Sequence, residues 1–215
     1  MSPISKAHTV AFTLATAVAY SAWNYVATIQ TEYEIVKFCI TLLLSLSFYR
    51  AIFKVILLLC KNMRIFRKAI LGRYYFEGLW IGYLVIDDEV EYYYEIVEQD
   101  LEHLTVRGKS FNQIHTFAGE WTIIDPNLNI TDAKLTYYYE MNDASLNGLT
   151  LGYSRATVFW DKRGHAYKEV GFAMDCYSSG KQQYFSVKIE NPQNVETWIK
   201  QNFWNEVNKL YSSQI

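Results

Sequence analysis

The chain has 215 residues, a formal net charge of −2, and 51% hydrophobic and 17% aromatic side chains, which allows one domain of good size plus a smaller segment. The charge is unevenly distributed, because residues 1–71 contain eight basic and two acidic side chains whereas residues 72–215 contain 12 and 20. An acidic second part argues against a general nucleic-acid binder, which needs a basic face to neutralise a phosphate backbone.

The first predicted element is a membrane-spanning helix at about residues 9–30. Residues 7–31 contain no Asp, Glu, Lys or Arg, and about twenty apolar residues are enough to cross a bilayer. A cleaved signal peptide is the alternative. Only Lys6 precedes the apolar run, however, and a second apolar run follows after a short acidic link, which favours a retained helix.

The second predicted helix covers about residues 35–58 and contains Arg50 and Lys54. Residues four apart project from the same face of a helix. Either the span ends near Arg50 and both side chains reach the lipid headgroups, or the helix continues and the cations line a protein interior or a water-filled path. The sequence leaves both interpretations open.

The flanking charges predict the orientation of this hairpin. The segment KNMRIFRK at 61–68 is basic and the connection between the helices is acidic, so the positive-inside rule places both termini and the second part of the chain in the cytoplasm. Three cysteines, Cys39, Cys60 and Cys176, form no CxxC motif, and we expect unpaired thiols in a reducing compartment. Residues 1–71 are therefore predicted as a two-helix membrane unit with a basic juxtamembrane segment.

Residues 72–215 are predicted as an antiparallel eight-stranded β-barrel, lipocalin-like in form. Short β-rich runs alternate with turn residues at intervals of about ten to fifteen, including Asp125-Pro126-Asn127 and Asn147-Gly148. Closing such a meander into a barrel removes its exposed edges. The predicted strands are 79–86, 91–99, 102–108, 115–124, 134–141, 148–161, 169–176 and 184–189.

A C-terminal amphipathic helix is predicted at about 194–211. Apolar residues recur there at helical spacing, and Asn194 is a candidate N-cap. We expect its aromatic face to pack on the barrel or to plug one mouth, with docking of a neighbouring subunit as the alternative. The apolar positions are Val195, Ile199, Phe203, Val207 and Leu210.

Two tyrosine triplets, EYYYE at 91–95 and TYYYE at 136–140, lie on predicted strands. Alternation along a strand sends two tyrosines of each triplet to one side and one to the other. The apolar neighbours of the paired tyrosines place Tyr92, Tyr94, Tyr137 and Tyr139 inside the barrel, and Tyr93 and Tyr138 outside. Such tyrosines either form an aromatic core or line a cavity that offers π-faces and hydroxyl groups.

Candidate cations for such a cavity are Arg107 and Arg155. Arg155 shares a strand face with Tyr153 and lies either outside in solvent or inside with a ligand. No phosphate loop, HExxH or GxSxG motif is present, and the histidines are scattered, so we expect neither an enzyme nor a metal or cofactor. The candidate ligand-binding set is Tyr92, Tyr94, Arg107, Trp121, Tyr137, Tyr139, Tyr153 and Arg155.

The order of these parts is similar to that of a known family. Two N-terminal membrane helices, the basic stretch KNMRIFRK, a first strand reading YYFEGLWIGYL with Gly78-Leu79-Trp80, and then only strands resemble the two-transmembrane, β-strand-rich effectors of bacterial CBASS anti-phage systems. The resemblance covers essentially the whole chain and rests on architecture rather than on one sharp motif.

The resemblance implies a specific function at the bacterial inner membrane. A partner cyclic-oligonucleotide synthase would make a signal during infection, the barrel would bind a cyclic dinucleotide, and the homo-oligomerising effector would disrupt the bilayer, causing abortive infection. A membrane-tethered binder of lipids or other hydrophobic ligands is the alternative, and a scaffold with a filled barrel is a third possibility.

Overall fold

The computed structural model describes residues 3–28, 34–86, 89–144, 148–176, 180–190 and 192–213. The chain divides into two compact units. Residues 1–72 form the first unit together with 100–102, and residues 73–99 and 103–215 form the second.

The first unit consists of three helices, α1 (Pro3–Ala27), α2 (Glu34–Asn62) and α3 (Arg64–Leu71). Ala7, Ala11 and Ala15 on α1 are no more than 5% exposed, because this alanine face packs against α2. Small side chains at every fourth position allow two helix backbones to approach closely. The His8 ring stacks on Phe53 of α2 with ring centroids 4.2 Å apart.

One helix segment among the described residues, Ile35–Asn62, is long and apolar enough to cross a membrane. Helix α1 covers most of the first predicted span but carries Thr, Ser, Tyr and Asn along its length, and its predicted end at residue 30 lies outside the described residues. Arg50 and Lys54 are both exposed on α2. They therefore lie away from the face that packs on α1, and they do not line the interior of this helix pair.

The second unit is a closed antiparallel barrel in which each strand pairs with its neighbours in sequence and β1 pairs with β8. All eight predicted strands are present, with ends that shift by a few residues. The strands are β1 (Gly78–Ile86), β2 (Glu89–Gln99), β3 (Leu104–Phe111), β4 (Phe117–Asn129), β5 (Lys134–Asp143), β6 (Gly148–Trp160), β7 (Ala166–Asp175) and β8 (Gln182–Ile189).

The predicted turn at residues 125–127 is wrong, because β4 continues through it as a bulge. The register of β4 against β5 shifts between Ile124 and Asn127, and Asp125 adopts a φ of 49°. A bulge is a place in a strand where a proline such as Pro126 is tolerated. The reversal of the chain follows at residues 130–133, where the Asn129 side chain accepts a hydrogen bond from the backbone of Thr131 at 3.0 Å.

The C-terminal helix α4 (Val195–Ser212) packs on the outer surface of the barrel and does not plug a mouth. Asn194 caps it as predicted by accepting a hydrogen bond from the Thr197 N–H at 2.9 Å. Phe203 and Val207 on α4 are 2% and 0% exposed, because they pack against outward side chains of β1 and β2 that include Tyr92. One flank of the barrel is thus apolar on its outside as well as buried on its inside.

One end of the barrel is closed by aromatic packing. The Trp80 ring stacks on Phe76 with ring centroids 4.3 Å apart, and its Nε1 donates to the Phe76 carbonyl at 3.0 Å. The Gln99 side chain holds the segment before β1 by donating to the Tyr74 carbonyl at 2.8 Å and accepting from the Phe76 N–H at 2.7 Å. These contacts leave the opposite end of the barrel for a cavity.

Candidate ligand-binding cavity

The first tyrosine triplet has the opposite orientation to the predicted one. Tyr93 points into the barrel and is 3% exposed, whereas Tyr92 and Tyr94 lie outside beneath α4. The Tyr94 ring meets Phe203 edge-on at 5.5 Å between centroids. The prediction for Tyr92 and Tyr94 was wrong because a helix covers the outer face of β2, so that apolar residues there do not mark the interior.

The second triplet has the predicted orientation. Tyr137 and Tyr139 point inward and are 6% and 5% exposed, whereas Tyr138 lies outside with 59% of its surface exposed. Among the described residues, α4 does not pack on this part of β5, so apolar alternation marks the interior correctly.

Both candidate arginines lie outside the barrel. Arg107 forms an exposed salt bridge with Glu98 at 2.9 Å. Arg155 is exposed on β6, and Tyr153 lies on the same outer face against Tyr138, with ring centroids 5.6 Å apart. These three members of the predicted set therefore do not line the interior.

The cavity occupies the end of the barrel opposite Trp80 and has a volume of about 80 Å³. Its floor is aromatic, and the described residues of its walls carry four carboxyl groups. The aromatic lining residues are Tyr93, Trp121, Tyr137, Tyr139 and Tyr184, and the acidic ones are Glu91, Glu95, Asp143 and Asp175. Trp121, Tyr137 and Tyr139 are the members of the predicted set that the fold brings together here.

Glycines on neighbouring strands create the space for the cavity aromatics. Tyr139 lies directly across from Gly152 in the β5–β6 ladder, and a Cβ added at Gly152 would come within 2.1 Å of the tyrosine ring. Trp121 and Gly108 form an equivalent pair across β3 and β4, where the distance would also be 2.1 Å. A ring can lie flat across a strand only where no side chain stands in its way. The same arrangement recurs at Gly82 with Tyr93 and at Gly171 with Tyr184.

Hydrogen bonds orient the acidic groups. The Trp121 Nε1–H donates to Glu95 Oε1 at 3.0 Å. The Tyr139 hydroxyl donates to Asp175 Oδ1 through a short hydrogen bond, and the Gln182 amide donates to the other oxygen of Asp175 at 2.6 Å. Such charge-assisted contacts hold both carboxyl groups in place before any ligand arrives.

Two carboxyl groups in the interior are almost completely buried. Burial raises the pKa of Glu95 to about 7 and that of Glu169 to about 8, because an ionised carboxylate is poorly solvated there. The Ser186 hydroxyl donates to Glu169 Oε1 at 2.8 Å, and Glu169 Oε2 has no hydrogen-bond partner among the described residues. Burial also raises the pKa of Glu91 at the mouth. The interior thus retains protons near neutral pH.

The lining determines what the cavity can bind. The described residues that line it include no Lys or Arg, so a phosphate group inside would meet carboxylates and no compensating cation among them. Carboxylate oxygens accept hydrogen bonds from N–H groups, and the tyrosine and tryptophan rings offer stacking surfaces. The volume holds about five water molecules, less than the roughly 300 Å³ or more of a typical small-molecule site.

Comparison with known proteins does not place the chain in a family. No family model matches the chain, and no curated protein matches it. Its function must therefore be inferred from the fold and from the cavity.

The sequence patterns did not predict two of the five cavity aromatics, Tyr93 and Tyr184, or any of the cavity's carboxyl groups. The signal that points to them is the set of glycines in the middle of predicted strands, since a strand-interior glycine often marks the close approach of another group. Tyr93 and Tyr184 each lie directly opposite such a glycine.

Proposed function

We propose that this protein is a membrane-anchored effector whose barrel binds a cyclic dinucleotide, as in the CBASS anti-phage systems that its architecture resembles. The observation that carries the proposal is the cavity of aromatic rings and carboxyl groups at one end of the barrel. Nucleobases offer both a π-face and N–H donors such as the amino groups of adenine, cytosine and guanine. Stacking of one base on an aromatic side chain contributes about 1 to 3 kcal/mol.

The charge of the cavity predicts the direction in which the ligand enters. Glu91, Asp143 and Asp175 are half-buried near the mouth, where they repel phosphates and accept from base amino groups. A base would therefore enter first, while the phosphates stay outside. Because the cavity measures about 80 Å³, a bound base also requires the rings or the mouth to move apart, and this movement would couple binding to the state of the barrel.

The membrane part of the proposal rests on α2, whose described residues are long and apolar enough to cross a bilayer. We propose that α1 and α2 both span the bacterial inner membrane with the barrel in the cytoplasm, as the basic residues 61–68 indicate. Ligand would act by favouring an assembled state of several copies, whose helices then disrupt the membrane. Arg50 and Lys54 lie on the face of α2 that α1 leaves free.

An acyl chain is a poorer candidate for the same cavity. Leu84, Ile86 and Met141 supply some apolar lining, but the cavity would have to expand further from about 80 Å³ for a long chain than for a single base. The acidic mouth also disfavours a fatty-acid carboxylate. Fatty acids therefore serve as the comparison ligands in the test.

The test measures binding of cyclic dinucleotides to the purified full chain in detergent by thermal shift and calorimetry. Glu91→Ala removes a cavity acceptor, and Glu98→Ala is the matched control because Glu98 lies on the same strand but outside the barrel, exposed and paired with Arg107. We expect binding to weaken at least tenfold in the first variant and less than twofold in the second. The proposal is contradicted if the thermal midpoint of unfolding rises only with fatty acids, or if it rises with none of the ligands at millimolar concentration.

A cellular test addresses the membrane effect. Bacteria that express the chain with a cyclic-dinucleotide synthase should lose membrane integrity, whereas cells with the chain alone should not. Loss of integrity to the same extent without the synthase is the result that excludes ligand-driven activation.

A further inference from the structure

The outer surface of β5, β6 and β7 is an exposed apolar face, here called the β5–β7 face. Outward side chains of these three strands supply it, as alternation along each strand requires. Tyr138 is 59% exposed, Leu151 51%, Val170 39% and Met174 38%. Tyr153 and Phe172 lie between them with ring centroids 6.4 Å apart.

The β5–β7 face differs from the other flank of the barrel in what covers it. Outward residues on β1 and β2, such as Leu79 and Ile81, are no more than 1% exposed because α4 packs on them. Within the described residues, α4 does not pack on the β5–β7 side chains. Contiguous apolar surface of this kind marks interaction sites more often than it occurs on free monomers.

Strand register gives the face a central row with opposite charges on its two sides. Tyr138 lies opposite Tyr153, which lies opposite Met174, so these three side chains form the row. Arg155 is two residues from the row in one direction, and Glu140 is two residues from it in the other. Both are exposed, and neither forms an ion pair with another described residue.

We propose that a second copy of this chain binds the β5–β7 face in a twofold-symmetric dimer. A twofold axis that lies in the interface and crosses the strands at the Tyr138 row sets each Tyr138 against its counterpart. Because two residues along a strand span about 6.6 Å, the same rotation places Arg155 above the partner's Leu151 and beside the partner's Glu140. Each dimer then gains two Arg–Glu pairs around an aromatic centre, and a surface that is complementary to itself is what a twofold interface requires.

The charges favour a second copy over other occupants of the face. An anionic lipid surface would attract Arg155 but repel Glu140, whereas a rotated copy satisfies both residues. Membrane anchoring, where the proposed function holds, would also confine the copies to one plane and raise their effective concentration. The dimer itself requires no ligand, so it can be confirmed or refuted whether or not the chain binds a cyclic dinucleotide.

The first experiment is cross-linking of the full chain in detergent, without nucleotide, after its three cysteines are replaced by serine. A bismaleimide with a spacer of about 10 Å is used, because facing sheets lie about that far apart. Tyr138→Cys should yield cross-linked dimer at least fivefold more efficiently than Asn205→Cys, the control at an exposed position of α4. Equal yields from the two variants overturn the proposal.

The second experiment exchanges the charges. Arg155→Glu and Glu140→Arg should each raise the dimer dissociation constant at least tenfold, because each places like charges across the interface. The double variant in one chain should return it to within threefold of the wild type. Cooperative thermal unfolding, followed by tryptophan fluorescence, confirms that each variant is folded.

Three results would overturn the proposal. The first is a wild-type chain that remains monomeric at 100 µM or higher, and the second is a double variant that fails to recover dimerisation. The third is a Tyr138→Cys side chain that a maleimide labels more slowly in lipid nanodiscs holding one copy than in detergent, since lipid would then cover the face.

Discussion

Replacing Glu169 by glutamine removes a carboxyl group that is 1% exposed in the barrel interior. Its pKa is raised from an ordinary value of 4.5 to about 8, mainly because burial destabilises the charged form and secondarily because Glu95 lies nearby. The folded protein therefore keeps a proton that the unfolded chain releases above pH 4.5. Stability from this group is complete below that pH and is lost as the pH rises towards 8.

The size of the effect follows from the shift. Each pKa unit corresponds to about 1.4 kcal/mol. Glu169 therefore lowers the free energy of unfolding by about 3 kcal/mol as the pH rises from about 6 to 9. Glutamine fits the same space, can accept from the Ser186 hydroxyl that lies 2.8 Å from Glu169 Oε1, and does not ionise. The Glu169→Gln variant should therefore lose less stability over this range and should exceed the wild type at pH 9.

The assay is chemical denaturation of the full chain in nonionic detergent, followed by tryptophan fluorescence at pH 6, 7, 8 and 9. Glu98→Gln is the control, because Glu98 is exposed on the outside of the same barrel. Its replacement should leave the pH dependence of the unfolding free energy unchanged. If Glu169→Gln and the wild type show parallel stability curves across this range, the raised pKa and its cause are refuted.

Three further predictions concern the cavity wall and the helix that covers β2. Gly152→Ala should lower the unfolding free energy by about 1 to 3 kcal/mol, since the added Cβ would lie 2.1 Å from the Tyr139 ring; an unchanged thermal midpoint contradicts this. Trp121→Phe removes the donor to Glu95 Oε1 at 3.0 Å and should lower the unfolding free energy by about 1 to 3 kcal/mol. The decrease should be larger at pH 8 than at pH 5, because the hydrogen bond stabilises the ionised carboxylate. A decrease that does not depend on pH argues against that role of the hydrogen bond. Asn194→Ala should destabilise α4 by about 1 kcal/mol, visible as faster amide exchange in its first turn, and equal exchange rates in variant and wild type would show that the cap is dispensable.

The two tyrosine triplets show what alternation along a strand predicts about side-chain orientation and what it does not. Alternation identified the correct pair of faces in both strands, and on β5 it also identified the inner one, with Tyr137 and Tyr139 inside. On β2 it selected the wrong side, because Tyr92 is buried beneath α4 about a hundred residues later in the chain. On β2 the outer face is apolar because α4 covers it, whereas the inner face carries Glu91 and Glu95, so polarity does not mark the outside of this strand.

Arg155 illustrates the same limit for charge. Its strand face also carries the aromatic residues Tyr153 and Phe159, a pattern equally compatible with a ligand cavity and with an outer contact surface. Only closure of the barrel, which directs Ser154 and Ala156 inward, decides that Arg155 points outward. Single-strand patterns therefore predict which residues share a face but not what that face contacts.

The sequence by itself determined the order and kind of the elements: the two long N-terminal helices, eight strands separated by turn residues, and a capped terminal helix. These follow from local causes, namely apolar run length, turn chemistry and helical spacing. Tertiary structure alone decided the orientation of Tyr93, the gathering of four carboxyl groups in the cavity lining, and the pairing of four of the five cavity rings with a glycine on a neighbouring strand. Those features depend on strand register and on the helix that covers β1 and β2, and both are set by contacts between residues far apart in the chain.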